Sequence, residues 1–255
     1  MKQQTSEWFQ ARSGCATGSK CADILAFLKS GKGETKARAD YRAQIVCEIL
    51  TGEPQMEGYL SPFMEWGTET EPKARTAYEL KSGVMVEETG FVLHGSIARM
   101  GGSPDGLVGD DGMIEIKCPK TATHIGWMLG GVVPEEHEPQ MAFYMAVTGR
   151  AWCDFVSYDP RLPEPLRLFV VRLERNPERI AEIEAAVIQF NAEVDAQIAR
   201  LREIAGPFTI PAQMQAKQQS TEGYVTDDEI RDIDPSWKPT DAEAMEFTEK
   251  TGLFK

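Results

Sequence analysis

Between residues 180 and 201 apolar side chains recur at spacings of three and four, at Ile180, Ile183, Val187, Phe190, Val194, Ile198 and Leu201. That period lays one buried stripe along a helix. Asn176-Pro177 opens it, with Asn as N-cap and Pro at the first helical position, and it should run to about Glu203. Ser19 is a candidate cap for a helical face made by Ile24, Leu25, Phe27 and Leu28. A helix over residues 36–50 should end near Gly52, and one over 68–81 near Gly83, which puts Pro72 in its first turn or at a boundary. The run HEPQMAFYMAVTG reads as a buried helix through Met141, Phe143, Tyr144 and Met145. Strand-like runs lie between: VMVEET, GFVLHG, GLVGDDGMIEIKCP, AWCDFVSYDP and LRLFVVRLE, with Gly-Asp-Asp-Gly as a hairpin turn. The pattern predicts an α/β (α+β) fold, a central mixed sheet flanked by helices, over residues 1–205. Residues 206–255 turn Gln-rich and then acidic and are expected to form a weakly folded extension.

Composition changes this picture little. Hydrophobic residues make up 42% and charged residues 26%, enough for a sizeable core. No apolar run approaches the roughly 20 residues of a bilayer span, and MKQQTSEWFQ lacks the apolar stretch of a signal peptide, so a cytoplasmic, non-membrane protein is expected. Cys15, Cys21, Cys47, Cys118 and Cys153 are odd in number and form no C-x-x-C pair, and are read as buried thiols. The net charge of −13 runs against general affinity for phosphate backbones. However, ten acidic and four basic residues of that balance lie between Thr221 and Lys255. Any path for DNA must then be a local basic groove.

The chemistry concentrates in SPDG and the following EIK. Residues 113–117 alternate, so Glu115 and Lys117 project from one face of a strand while Ile114 and Ile116 pack on the other. Asp105 precedes the hairpin and should come close to Glu115. Two converging carboxylates repel unless a cation binds between them, and oxygen ligands suit magnesium or manganese. Such a site can polarise a phosphoryl oxygen and activate water, with Lys117 orienting the nucleophile or offsetting charge in the transition state. An isolated E-x-K is an ordinary cross-strand ion pair on a solvated hairpin; the upstream Ser-Pro-Asp-Gly favours the metal site.

SPDG and EIKCP, preceded by WGTETEPKAR and followed by a helix with Gln140 and by VSYDPR, resemble the phage lambda exonuclease and YqaJ-like viral recombinase family of PD-(D/E)xK nucleases. The resemblance spans residues 6 to about 175 and implies a restriction-endonuclease-like nuclease core. By it, Asp105 and Glu115 are the metal-binding acids, Lys117 the catalytic lysine, and Ile116 the residue whose carbonyl completes the coordination. Glu71 matches a helix-borne acid near a second metal, the bland alternative being a first-turn Glu that complements a helix dipole. Gln140 matches a helical glutamine near the site, or is a polar residue at a helix start. The segment WFQARSGCATGS resembles W-x-x-x-R-x-G-x-x-T-x-S, making Arg12, Thr17 and Ser19, with Ser103, a 5′-phosphate pocket; alternatively Ser19 is a plain cap and Arg12 a surface cation. Met64, or failing that Phe63, stands where the family inserts a wedge between terminal base pairs, or else is core packing. Lys29 and Lys32 occupy a loop that reaches DNA in the family, or are solvated lysines.

The resemblance therefore implies a 5′→3′ exonuclease that uses Mg2+ or Mn2+, two ions per site. It would act on double-stranded DNA ends, release mononucleotides and leave a 3′ single strand. A ring-shaped homotrimer and a single-strand annealing protein as partner come with it. A restriction-like or repair endonuclease, and a non-catalytic DNA-end-binding module of a phage operon, are the competing readings. An endonuclease needs no pocket for a terminal phosphate.

Overall fold

The computed structural model describes residues 3–28, 33–55 and 62–219. Helix α1 (Ser6–Arg12) starts at Thr5, whose hydroxyl accepts from Trp8 N, and leads through strand β1 (Ala16–Thr17) and a single 3-10 turn into the short α2 (Cys21–Ile24). Ser19 makes no cap there, which corrects the expected helix over 19–28: the polypeptide turns tightly at Gly18 and leaves after Ile24. Helix α3 (Lys36–Thr51) follows and stops at Gly52, whose φ of 74° is the left-handed conformation that ends many helices.

Helix α4 (Pro62–Ser82) begins earlier than expected and carries Pro72 in its middle, not in a first turn. Proline there removes one helical N–H. The helix nevertheless continues, because Ala74 and Tyr78 bury its inner face against the sheet. Strands β2 (Val86–Glu87), β3 (Val92–Leu93), β4 (Met100–Gly102), β5 (Gly106–Val108) and β6 (Gly112–Lys117) come next, then α5 (Thr121–Gly130) and α6 (Glu138–Thr148). Strands β7 (Trp152–Tyr158) and β8 (Leu168–Glu174) precede α7 (Pro177–Ala205), and α8 (Ala212–Gln219) closes the described chain. Asn176 Oδ1 accepts from Glu178 N and Arg179 N at 3.0 and 3.1 Å, the cap read from Asn-Pro.

The central sheet has the order β2-β5-β6-β7-β8, with β6 and β7 parallel and the other neighbours antiparallel. This is the mixed, helix-flanked sheet expected. A second sheet, β1-β4-β3, adds two short strands, β1 and β4, that the sequence pattern did not mark. Alternation along β6 divides the interior in two. Ile114 and Ile116 face Ala74 and Tyr78 of α4, while Met113 lies with Phe155 in the larger core under α3, α6 and α7. Replacing the fully buried Phe190 of α7 by Ala would cost about 3–5 kcal/mol.

Two expectations are corrected here. The compact unit continues to Gln219, beyond the boundary placed at residue 205, because Ile210 and Met214 fold back into the main core. Lys217 Nζ then donates to the carbonyls of Gln10, Ala11 and Ser13 at 2.7–2.9 Å, closing the C-terminal end of α1. The acidic stretch from Ser220 lies outside the described residues. Of the five cysteines, all unpaired, Cys15, Cys21 and Cys153 are buried as expected, Cys118 is half-buried and Cys47 is exposed.

Candidate active site

The carboxylate cluster sits where β6 ends. Glu115 is 1% exposed, held in the sheet opposite Phe155 of β7, and its Oε1 accepts from Lys117 Nζ. Its Oε2 is buried with no hydrogen-bond partner. Asp105, at the joint between β4 and β5, turns back so that its Oδ2 accepts from Ile116 N at 2.7 Å. Glu71 reaches the same place from α4, with Arg75 one helical turn on donating to Glu71 Oε1 at 2.7 Å and to the Asp105 carbonyl at 3.2 Å. Glu71 is therefore a mid-helix acid, and the first-turn dipole explanation does not apply to it.

Burial and mutual repulsion dominate the electrostatics. Burial, then the Asp105 charge, pushes Glu115 up to about 8, and the same two causes push Glu71 up to about 7. Asp105 is likewise raised by burial, against Lys117 and the Ile116 amide. Burial works against the Lys117 ammonium, but Glu115 and Asp105 outweigh it and raise its pKa. Three acids whose pKa values stay raised despite Lys117 and Arg75 form a set that a further cation would relieve.

The residues present fit magnesium or manganese. Among the described residues no three His, Cys, Asp or Glu side chains stand as a ready metal cage. Magnesium does not demand one, since it binds through one or two carboxylates and keeps waters or substrate phosphate for the rest. Asp105 and the orphaned oxygen of Glu115 are donors available, with Ile116 lining the same cleft and Glu71 near enough to raise Glu115 further.

The same cleft, of about 220 Å3, is also lined by Arg12, Thr17, Ser19 and Ser103. Arg12 is set by α1: its guanidinium lies 4.4 Å from the Trp8 ring and its Nη2 donates to Ser19 Oγ at 3.3 Å. Trp8 Nε1 donates to Ser103 Oγ at 2.8 Å, so one indole orients both the arginine and the serine. Thr17 is fixed by Tyr41, whose hydroxyl accepts from Thr17 N at 3.1 Å and donates to the Cys15 carbonyl at 3.1 Å. A planar cation beside three hydroxyls is a good receptor for a phosphate.

Ten sequence-derived residues thus line one cleft: Asp105, Glu115, Ile116, Lys117, Glu71 and Gln140, together with the four just named. Lys29 and Lys32 fall outside the described residues, and of Met64 the α4 backbone alone is described. Sequence reasoning missed Trp8, Arg75 and Tyr144. Arg75 could have been found from its i+4 spacing to Glu71. Tyr144 was read as core only, and it is both core and cleft wall.

Residues 7–151 match the YqaJ-like viral recombinase domain. The alkaline exonuclease LHK-Exo of Laribacter hongkongensis is 46% identical, the match covering 79% of this chain and 98% of that one, with a TM-score of 0.72. LHK-Exo in complex with dAMP superposes with a TM-score of 0.73 over the same shares, again at 46% identity. A phage-related exonuclease from Haemophilus somnus 129PT, 18% identical, shares the fold with a TM-score of 0.51, covering 72% of this chain and 96% of that one. No curated protein matches. Domain match and close structural relative together show that the chain belongs to the YqaJ-like viral recombinase family.

Proposed function

We propose that the protein is a metal-dependent DNA exonuclease that starts at duplex ends, degrades the 5′-terminated strand and releases mononucleotides. The observation carrying this reading is that the carboxylate cluster and the Arg12 pocket open into one cleft. A cleft with a phosphate receptor a short way from a hydrolytic centre measures off product from a strand end, which an endonuclease does not require. The relative LHK-Exo, 46% identical, forms a complex with dAMP, a deoxynucleoside monophosphate.

In this mechanism Arg12, Thr17, Ser19 and Ser103 bind the terminal phosphate, and their fixed geometry seats the next phosphodiester by Asp105 and Glu115. Asp105, Glu115 and the Ile116 carbonyl would hold one magnesium or manganese ion, and Glu71 would serve a second. Bound there, such an ion would supply polarisation of a phosphoryl oxygen and a lowered pKa for water. Lys117 keeps its proton and offsets negative charge developing on the phosphoryl group. Gln140 lines the same cleft and donates its amide to the Tyr144 hydroxyl. The resemblance to the lambda exonuclease family alone supports the remaining parts: a homotrimeric ring that encloses duplex DNA, and a single-strand annealing protein that takes up the 3′ strand.

The test is digestion of linear 5′-phosphorylated duplex beside closed circular duplex, with magnesium, with manganese and with chelator. Metal-dependent release of mononucleotides from the linear DNA, with the circle untouched, is expected. Cleavage of the circle at a comparable rate would replace this reading with an endonuclease.

A further inference from the structure

Tyr144 has a setting unlike the rest of α6. Its ring, 5% exposed, lies in a slot between Gly18 and Gly102. A Cβ on Gly18 would stand 2.2 Å from Tyr144 Cε1, and one on Gly102 2.5 Å from Cδ1, so no larger residue fits either position while the ring is there. Gly18 belongs to the turn carrying Thr17 and Ser19, and Gly102 ends the strand that delivers Ser103 and Asp105. Two glycines on separate elements thus make room for one aromatic ring at the junction of the two halves of the cleft.

The ring alone would explain packing. The hydroxyl is what packing does not explain, since phenylalanine would fill the slot equally well. That oxygen accepts from Gln140 Nε2 at 3.0 Å, one helical turn earlier, and the residue lines the cleft. Accepting from the amide leaves the O–H proton to be donated elsewhere. Burial, then the Glu115 and Asp105 charges, holds the phenol well above its ordinary pKa, against the Gln140 hydrogen bond and the Arg12 charge. The group is therefore a neutral donor in the cleft that holds both the carboxylates and the arginine.

We propose that Tyr144 is a substrate-binding residue, its hydroxyl donating a hydrogen bond to a phosphoryl oxygen of the strand that runs between Arg12 and the Asp105–Glu115 pair. This rests on the nuclease reading above. The glycine slot fixes the ring, Gln140 fixes the rotation of the hydroxyl, and the bound strand supplies the acceptor.

Tyr144→Phe removes the hydroxyl and keeps the packing, so its thermal midpoint should equal that of the wild type. A lost hydrogen bond to a charged oxygen lowers kcat/KM on linear 5′-phosphorylated duplex roughly ten- to a hundredfold. Affinity for dAMP, used as the probe, should fall in parallel. A double-mutant cycle with Gln140→Leu separates direct contact from action through Gln140. If Tyr144 touches substrate, the double variant is slower than Gln140→Leu alone; if it is no slower, Tyr144 merely positions the amide and the proposal is overturned. Wild-type kcat/KM and dAMP affinity in Tyr144→Phe, with Asp105→Ala inactive, would also overturn it. Activity retained in Asp105→Ala would instead overturn the nuclease site itself. Gly102→Ala provides an independent arm: it should slow the wild type by displacing the ring and be tolerated better in a Tyr144→Ala background.

Discussion

Replacing Glu115 by Gln should make the metal-free protein more stable at alkaline pH while abolishing hydrolysis. Glu115 is 1% exposed, one of its oxygens has no partner, and burial followed by Asp105 pushes its carboxyl from its ordinary 4.5 up to about 8. The sign follows from linkage. A carboxyl raised in the folded state costs nothing when protonated in both states, near pH 4, and its cost grows as pH rises, becoming complete above about 8. Each tenfold change in ionisation constant is worth about 1.4 kcal/mol, so the full penalty amounts to a few kcal/mol. Glutamine escapes it but leaves the half-buried Lys117 ammonium without its nearest anion, which returns part of the gain. The net expectation is about 1–3 kcal/mol in favour of the variant at pH 9, or roughly 2–12 °C in midpoint for a domain of this size, and little difference at pH 5. Thermal melts in chelator at the two pH values measure it. Added magnesium should then raise the wild-type midpoint and leave the variant unmoved. A variant less stable than wild type at pH 9, or a gap identical at both pH values, would refute the claim that Glu115 is an uncompensated buried charge.

Asp105→Ala should fold and lose metal-dependent hydrolysis, because a metal ligand is removed; more than a small residual turnover would reject the assignment. Lys117→Ala should lose turnover and still bind metal, and a calorimetric titration showing no binding would make Lys117 structural. Arg12→Ala should slow 5′-phosphorylated ends roughly ten- to a hundredfold and leave 5′-hydroxyl ends unchanged, erasing the preference between them. Equal wild-type rates on both ends would discard the pocket. Truncation after Gln219 should keep the thermal midpoint and exonuclease rate but end co-purification with an annealing protein, whereas truncation after Ala205 should lower the midpoint by removing Ile210, Met214 and the Lys217 contacts. Equal midpoints for the two truncations would show that residues 206–219 contribute nothing to the fold.

The sequence by itself determined the elements whose signals are local. The three-and-four spacing from Ile180 to Ile198 and the Asn-Pro cap defined α7, Gly52 ended α3, and alternation over Met113–Lys117 put Glu115 and Lys117 on one face of β6. SPDG then EIK pointed to Asp105, Glu115 and Lys117 by their own chemistry, whereas Arg12, Thr17, Ser19, Ser103, Glu71, Gln140 and Ile116 came through the resemblance of their motifs to the lambda exonuclease and YqaJ-like family. What depends on distant partners was not legible. Pro72 reads as a first-turn or boundary residue because proline opposes helix locally, yet packing of Ala74 and Tyr78 on the sheet overrides that preference. β1 and β4 are two and three residues long and exist through pairing with each other and with β3. Ile210 and Met214 looked like part of a tail, since burial in the main core leaves no periodic mark in so short a segment. Most telling is Tyr144, whose i+4 spacing to Gln140 was visible but whose slot is made by Gly18 and Gly102, 126 and 42 residues earlier. A local pattern can say which side chains could do chemistry; the tertiary structure alone decides which share a cleft, which oxygen is left without a partner, and which charge is held out of water.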